Sequence, residues 1–127
     1  MKKILFLDDD KNRQQEFKNV FKVPGTVVDY VETAEEAIEA LKNKVYDVAF
    51  LDHDLGGKIF VKEVEGTGYE VALFIEKMPP ERRPYQVIIH SHNPAGASRM
   101  YEALKGSVSK LQVLPFVQLI SALAQTA

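Results

Sequence analysis

The sequence predicts a three-layer α/β/α sandwich built on a doubly wound, parallel, five-stranded sheet in the order 2-1-3-4-5. Three observations lead there. Short, wholly apolar runs alternate with segments of helical period, the pattern of successive βαβ units rather than of hairpins. The runs are continuous instead of alternating apolar with polar, which suits central strands covered on both faces. The chain is 127 residues long, 46% hydrophobic and 27% charged, the size and balance of one ordinary domain (1–127) with a sizeable core. Right-handed crossovers then favour the doubly wound strand order.

The first strand is Ile4-Leu5-Phe6-Leu7, which ends abruptly at Asp8-Asp9-Asp10. A helix follows from Lys11, with Phe17, Val20 and Phe21 at i, i+3 and i+4 behind an acidic cap, and it closes near Pro24-Gly25. Thr26 to Val31 reads as the second strand. Thr33 and Glu36 form a capping-box pair ahead of Ala34, Ala37, Ile38 and Leu41, the apolar stripe of the second helix. Val48-Ala49-Phe50-Leu51 is the third strand, and it too stops at an acidic cluster, Asp52-His53-Asp54. Val71, Phe74, Ile75 and Met78 make a third helical stripe, closed by Pro79-Pro80. Val87-Ile88-Ile89 is the fourth strand, and Ala97, Met100, Tyr101 and Leu104 mark the fourth helix, which Gly106 stops. A weaker strand from Val108 to Leu114 leads into a last helix opened by Pro115, with Phe116, Leu119, Ile120 and Leu123 facing inward. One segment departs from the alternation: Gly56 to Gly68 is long for a βα connection, where roughly 2–6 residues is usual. It reads either as a surface hairpin or as a flap bordering the site after Asp52.

Composition excludes several classes of function. Sixteen Lys plus Arg against eighteen Asp plus Glu give a net charge of −2, so there is no global basic field for bulk nucleic-acid binding or for an anionic membrane. With no cysteine, disulfide frameworks, thiolate zinc sites, iron–sulfur clusters and cysteine nucleophiles all fall away, and a cytoplasmic location is expected. No stretch approaches the roughly 18 consecutive apolar residues of a membrane helix, and the short apolar run after Met1-Lys2-Lys3 is no signal peptide.

In an open parallel sheet, ligands bind outside the carboxyl ends of the strands. Asp8, Asp9, Asp52, Asp54, His90, Ser91, His92 and Asn93 all stand at such ends. Two ionised carboxylates about 4 Å apart repel by roughly 4 kcal/mol at an effective dielectric near 20. Their convergence calls for a positive partner, and hard oxygen ligands suit Mg²⁺ or Mn²⁺, completed by waters and a phosphate.

These residues carry a resemblance. The pattern ILFLDDD, a strand ending FLDHD, and VIIHS before a helix resembles the receiver domain of bacterial response regulators over the whole length. The resemblance implies Mg²⁺ on Asp8, Asp9 and Asp52, a phosphoryl group accepted by Asp52, and contact of Ser91 with a phosphoryl oxygen. The receiver lysine before Pro-Phe is replaced by Leu114, which leaves Lys110 as the strand-five candidate for phosphate binding. The LDHDL segment, Arg13 after the acidic pair, Thr67-Gly68, and His90 to Gly96 (HSHNPAG) resemble a divergent branch, the cyclic-phosphate processing receiver-like domains.

Each candidate has a structural reading and a chemical one. Asp10 reads as a helix cap. Asp54 is either a fourth metal ligand or a turn former with Gly56-Gly57. Arg13, four residues after Asp9, either pairs with it or aims at a phosphate. His53 and His90 are packed histidines or catalytic groups, and the catalytic set under the second reading is Asp52, His53, His90 and Arg13. Asn93 starts the turn before the helix or binds phosphate, and Gly96 lets a phosphate approach the helix N-terminus. Three functions are compatible with this set. The first is a divalent-metal enzyme acting on a cyclic phosphate, in a small molecule or at an RNA end. The second is a stand-alone receiver phosphorylated on Asp52, working with a histidine kinase or an effector protein. The third is a non-catalytic interaction module.

Overall fold

The computed structural model describes residues 1–55 and 66–126. Along the chain run β1 (Lys2–Leu7), α1 (Lys11–Val20), β2 (Thr26–Val31), α2 (Ala34–Asn43), β3 (Val48–Leu51), α3 (Gly68–Lys77), β4 (Gln86–Ile89), α4 (Pro94–Leu104), β5 (Lys110–Val113) and α5 (Phe116–Thr126). A 3₁₀ turn at Pro80–Arg82 separates α3 from β4. All strand pairs are parallel, in the order β2-β1-β3-β4-β5, with helices on both faces. This is the flavodoxin-like sandwich that the alternation of runs and stripes predicts.

The continuous apolar runs are explained by a core on each face. Leu5, Leu7, Ala49, Leu51, Val87 and Ile89 pack against Leu41 of α2, Ile75 of α3 and Met100 and Leu104 of α4. The intervening Ile4, Phe6, Phe50 and Ile88 turn the other way, onto Phe17 of α1 and Phe116 and Leu119 of α5. Each such side chain contributes about 1.5–3 kcal/mol on burial, so a polar residue anywhere in β1, β3 or β4 is costly. The strands can stay apolar only up to their carboxyl ends, and there the sequence turns acidic.

Local capping sets where the helices begin. The Asp10 side chain accepts from the Asn12 and Arg13 amides and starts α1, as expected of that residue. Thr33 and Glu36 form the reciprocal capping box at α2. Thr33→Ala is expected to cost about 1 kcal/mol, read as a lower denaturant midpoint with an unchanged slope. Gly25, at φ 77°, makes the turn into β2 that lets its carbonyl accept the Lys2 amide at 2.9 Å.

Two details differ from the sequence reading. β5 is only Lys110–Val113, because Val108 turns into the core while Lys110, Gln112 and Val113 are exposed on this edge strand. Pro115 stands one place before α5, where its carbonyl accepts the Leu119 amide at 2.9 Å. Of the Gly56 to Gly68 insertion, residues 56–65 lie outside the described residues, and with them the hairpin or flap expected there. No helix among the described residues is long and apolar enough to cross a membrane.

Strand register positions the site. Leu7 pairs with Leu51, Leu51 with Ile89 and Ile89 with Val113, so four strands end level with one another. The ladder runs one residue further: the Asp52 amide donates to Leu7, the His90 amide to Leu51 and the Leu114 amide to Ile89. Asp8, Asp52, His90 and Leu114 therefore form one row across the carboxyl edge of the sheet.

Candidate functional site

Asp8 is fully buried, and Asp52 and His90 are 5% and 1% exposed. Two adjacent buried carboxylates need a counter-charge, and Arg13 supplies it. From the first turn of α1 its Nε and Nη2 each donate to one oxygen of Asp8 at 2.8 Å, a bidentate fork. Nη2 also reaches Asp52 Oδ2 at 3.4 Å, while Asp10 and Asp9 lie at 3.6 and 3.9 Å from the guanidinium. The pairing of Arg13 with Asp9 suggested by the i, i+4 spacing is thus the weakest of its contacts. The Asp10 amide donates to Asp8 Oδ1, and the buried Gln14 side chain donates to the Asp8 carbonyl, which locks β1 to α1.

The two carboxylates differ sharply. Burial alone would raise the pKa of Asp8, but its hydrogen bonds with His90 and Arg13 outweigh this and hold it down to about 2. For Asp52 burial wins, helped by the like charge of Asp8, and its pKa is raised despite opposition from His90 and Arg13. Asp8 is the fixed anion of the pair, and Asp52 is the carboxylate that more readily takes a proton.

His90 completes the cluster. Its Nε2 lies 3.1 Å from Asp8 Oδ2, and its ring stacks on Phe6 with centroids 5.0 Å apart and planes 7° apart, with Phe116 at 5.9 Å. Nδ1 is buried and has no hydrogen-bond partner among the described residues. An orphaned buried acceptor is more readily tolerated than an orphaned N–H, so a neutral His90 carries its proton on Nε2, facing the carboxylates. Atoms of Asp8, Asp52 and His90 lie within 4.8 Å of one another, so this triad can coordinate a divalent metal. Two carboxylates and an imidazole suit such an ion, provided Arg13 cedes an Asp8 oxygen and His90 Nε2 its proton.

The other expected site residues are placed as follows. Asp9, its side chain 25% exposed, and Asp54 lie outside that triad. The Asp54 carboxylate instead lies 2.7 Å from His53 Nδ1 and accepts from Asn93 Nδ2 at 3.1 Å. His53 is fully buried, its amide donating to Asp52 Oδ1 at 2.8 Å and its Nε2 3.5 Å from Arg99 Nη2. Asn93 caps α4, its Oδ1 accepting the Gly96 amide at 3.1 Å. Ser91 is buried, with Oγ accepting the Asn93 amide.

Two phosphate-binding expectations change. Gly96 is not an open approach to the helix end, because its amide is taken by Asn93 and a Cβ there would stand 2.4 Å from the His53 ring. Lys110 begins β5 opposite Gln86, three residues before the strand end at Val113. At ~3.3 Å per residue it lies about 10 Å from the carboxyl edge, so it does not substitute for the lysine that Leu114 replaces.

Gln14 and the Phe6 and Phe116 ring platform were not among the expected site residues. Gln14 carried a signal, since it shares the inward phase of α1 with Phe17 and Phe21. Arg99, half-buried in α4, carried none.

Residues 3–106 match the family model described as the cyclic-phosphate processing receiver domain. The chain belongs to this family. The cyclic-phosphate processing receiver domain described here also resembles solved receivers in fold. A response regulator receiver domain (CheY-like) from Methylobacillus flagellatus aligns over 100% of this chain and 99% of its own, at 16% identity and a TM-score of 0.65. The response regulator domain of Thermotoga maritima CheB aligns over 99% and 92%, at 22% identity and 0.65. Response regulator Rcp1, solved in its Mn²⁺-bound form, aligns over 98% and 91%, at 20% identity and 0.67. No curated protein matches the chain at a significant level.

Proposed function

We propose that this receiver domain acts on a phosphate ester at a divalent cation held by Asp8 and Asp52, and that the ester is a cyclic phosphate. The observation that carries the reading is the strand-end row Asp8, Asp52, His90 and Leu114. It sets an imidazole against the carboxylates and a leucine where receivers keep their lysine. A storage site for a phosphoryl group needs a permanent cation at that place, whereas ester cleavage needs groups that pass protons.

When bound, the cation polarises the phosphoryl oxygens and neutralises the charge that develops on them. Asp52, at the end of β3 beside Arg13, accepts a proton from water as the water adds to phosphorus. The bond from phosphorus to one ring oxygen breaks, and that oxygen takes the Nε2 proton of a doubly protonated His90, which the proton gained by Asp52 then restores. The product is an acyclic monoester with a free hydroxyl. Arg13 orients the carboxylates and offers N–H donors to the phosphoryl oxygens.

A second reading is supported by Asp52 ending β3 with Arg13 at 3.4 Å, and by the fold likeness to response regulators: a receiver phosphorylated on Asp52. One preparation tests both, using adenosine 2′,3′-cyclic phosphate with Mg²⁺ or Mn²⁺ and, in parallel, a small phosphodonor. Ring opening that requires the ion and falls by roughly 100-fold or more in His90→Ala and Asp52→Asn is the expected result. Stoichiometric phosphorylation of Asp52 without ring opening would establish the second reading instead.

A further inference from the structure

We infer that the groove between α4 and the end of β5 is a nucleobase subsite, so that the ester handled next to it is a nucleoside phosphate; this rests on the proposed function. The groove has a volume of about 520 Å³, within the range of small-molecule sites. Its walls are Pro94, Ala97 and Tyr101 from α4, and Val113 and Pro115 from the end of β5. Tyr101 is 39% exposed and Val113 42%, which leaves an aromatic ring and a branched aliphatic side chain facing solvent across the same gap.

The groove and the reactive cluster are joined through consecutive residues at the end of β4. Ser91 lines it, and Ser91 directly follows His90, one Cα step of about 3.8 Å from the residue whose Nε2 contacts Asp8. The two places divide the chemistry of a ligand between them. Among the described residues no Asp, Glu, Lys or Arg lines the groove, while the cluster at the strand ends holds two carboxylates and a guanidinium. The phosphate end of a ligand therefore belongs at the cluster, and the groove takes a flat, uncharged body. His92 and Ser98 at the edge of the groove supply a few polar groups, as the rim of a heterocycle requires. A nucleobase stacked on Tyr101 satisfies all of these conditions, and stacking tolerates any base because every base presents a π-face.

The test compares adenosine 2′,3′-cyclic phosphate with ribose 2′,3′-cyclic phosphate, which has no base, in wild type and Tyr101→Ala. The exposed Tyr101 can be truncated without opening the core. Adenosine is separately titrated against the amide resonances of Ala97, Tyr101 and Val113. The base should raise kcat/KM by roughly 10-fold, through KM. Tyr101→Ala should remove that advantage and leave the baseless substrate unchanged. Equal kcat/KM for both substrates overturns the subsite while the proposed function stands. If neither substrate is opened, the titration decides: saturable shifts confined to the groove retain the subsite without that function, and absence of shifts overturns it. Shifts of the same resonances with protein concentration alone, the mark of a second copy covering the groove, also overturn it.

Discussion

Gly68→Ala is expected to unfold the domain or lower its Tm by more than about 10 °C, corresponding to at least about 3 kcal/mol. A Cβ on Gly68 would stand 1.8 Å from the Asp52 carbonyl oxygen and 2.9 Å from the His53 Cα. Both are backbone atoms, so no rotamer change relieves the overlap. The first turn of α3 sits directly on the segment leaving β3, and the Gly68 amide donates to the His53 carbonyl at 2.8 Å. Separating them would carry Asp52 away from Asp8. Gly96→Ala should follow in the same direction, because the ring it would strike is fully buried. Gly106→Ala is the control: nothing among the described residues lies within 4 Å of its added Cβ, and its stability should stay within ~0.5 kcal/mol of wild type. Thermal denaturation of the three variants checks this, and a Gly68→Ala midpoint equal to that of Gly106→Ala would refute the packing.

Asp8→Asn and Asp52→Asn should move stability in opposite directions without added metal. Asp8 has a folded pKa of about 2 against the ordinary 3.8, so its stabilisation is present above pH 3.8 and is lost as pH falls through about 2. Asp52 has a raised folded pKa, so its contribution has the opposite sign: it favours the fold at low pH and is lost as pH rises through that value. At neutral pH, Asp8→Asn strips Arg13 and His90 of their shared partner and should cost about 3–5 kcal/mol. Asp52→Asn removes the carboxylate that burial disfavours and should stabilise the metal-free protein by about 1 kcal/mol. Added Mn²⁺ should then stabilise wild type and neither variant. Equal losses in both variants at pH 7 would contradict the asymmetry.

Much of this was legible in the sequence, for identifiable reasons. Ile4 to Leu7, Val48 to Leu51 and Val87 to Ile89 read as central strands because cores on both faces require continuous apolar runs. Asp10 and Thr33 read as caps because capping is local chemistry. Convergence of Asp8 and Asp52 followed from parallel strands that end together. Side-chain reach was not legible. Helical spacing points Arg13 at Asp9, yet its long side chain crosses to Asp8 on the strand end, five residues back. That His53 packs was one of its two sequence readings, but what packs it was not legible: the bare faces of Gly68 and Gly96 let two helix ends close over it. Lys110 could be excluded only with the β5 register in hand, since a bulged strand would have carried it further along the sheet.

On the proposed function, the Arg13 fork would make cation and anion capture cooperative. The guanidinium is a tethered competitor already seated on both oxygens of Asp8. A divalent ion that takes one of those oxygens frees N–H donors beside Asp52, where a phosphoryl oxygen can accept them. Each guest thus prepares the seat of the other, and the coupling is reciprocal: whatever factor the ion adds to phosphate affinity, the phosphate adds to that of the ion. Free ion alone has to displace the guanidinium from one oxygen, so the corner would fill more readily when both charges arrive together than with the ion by itself.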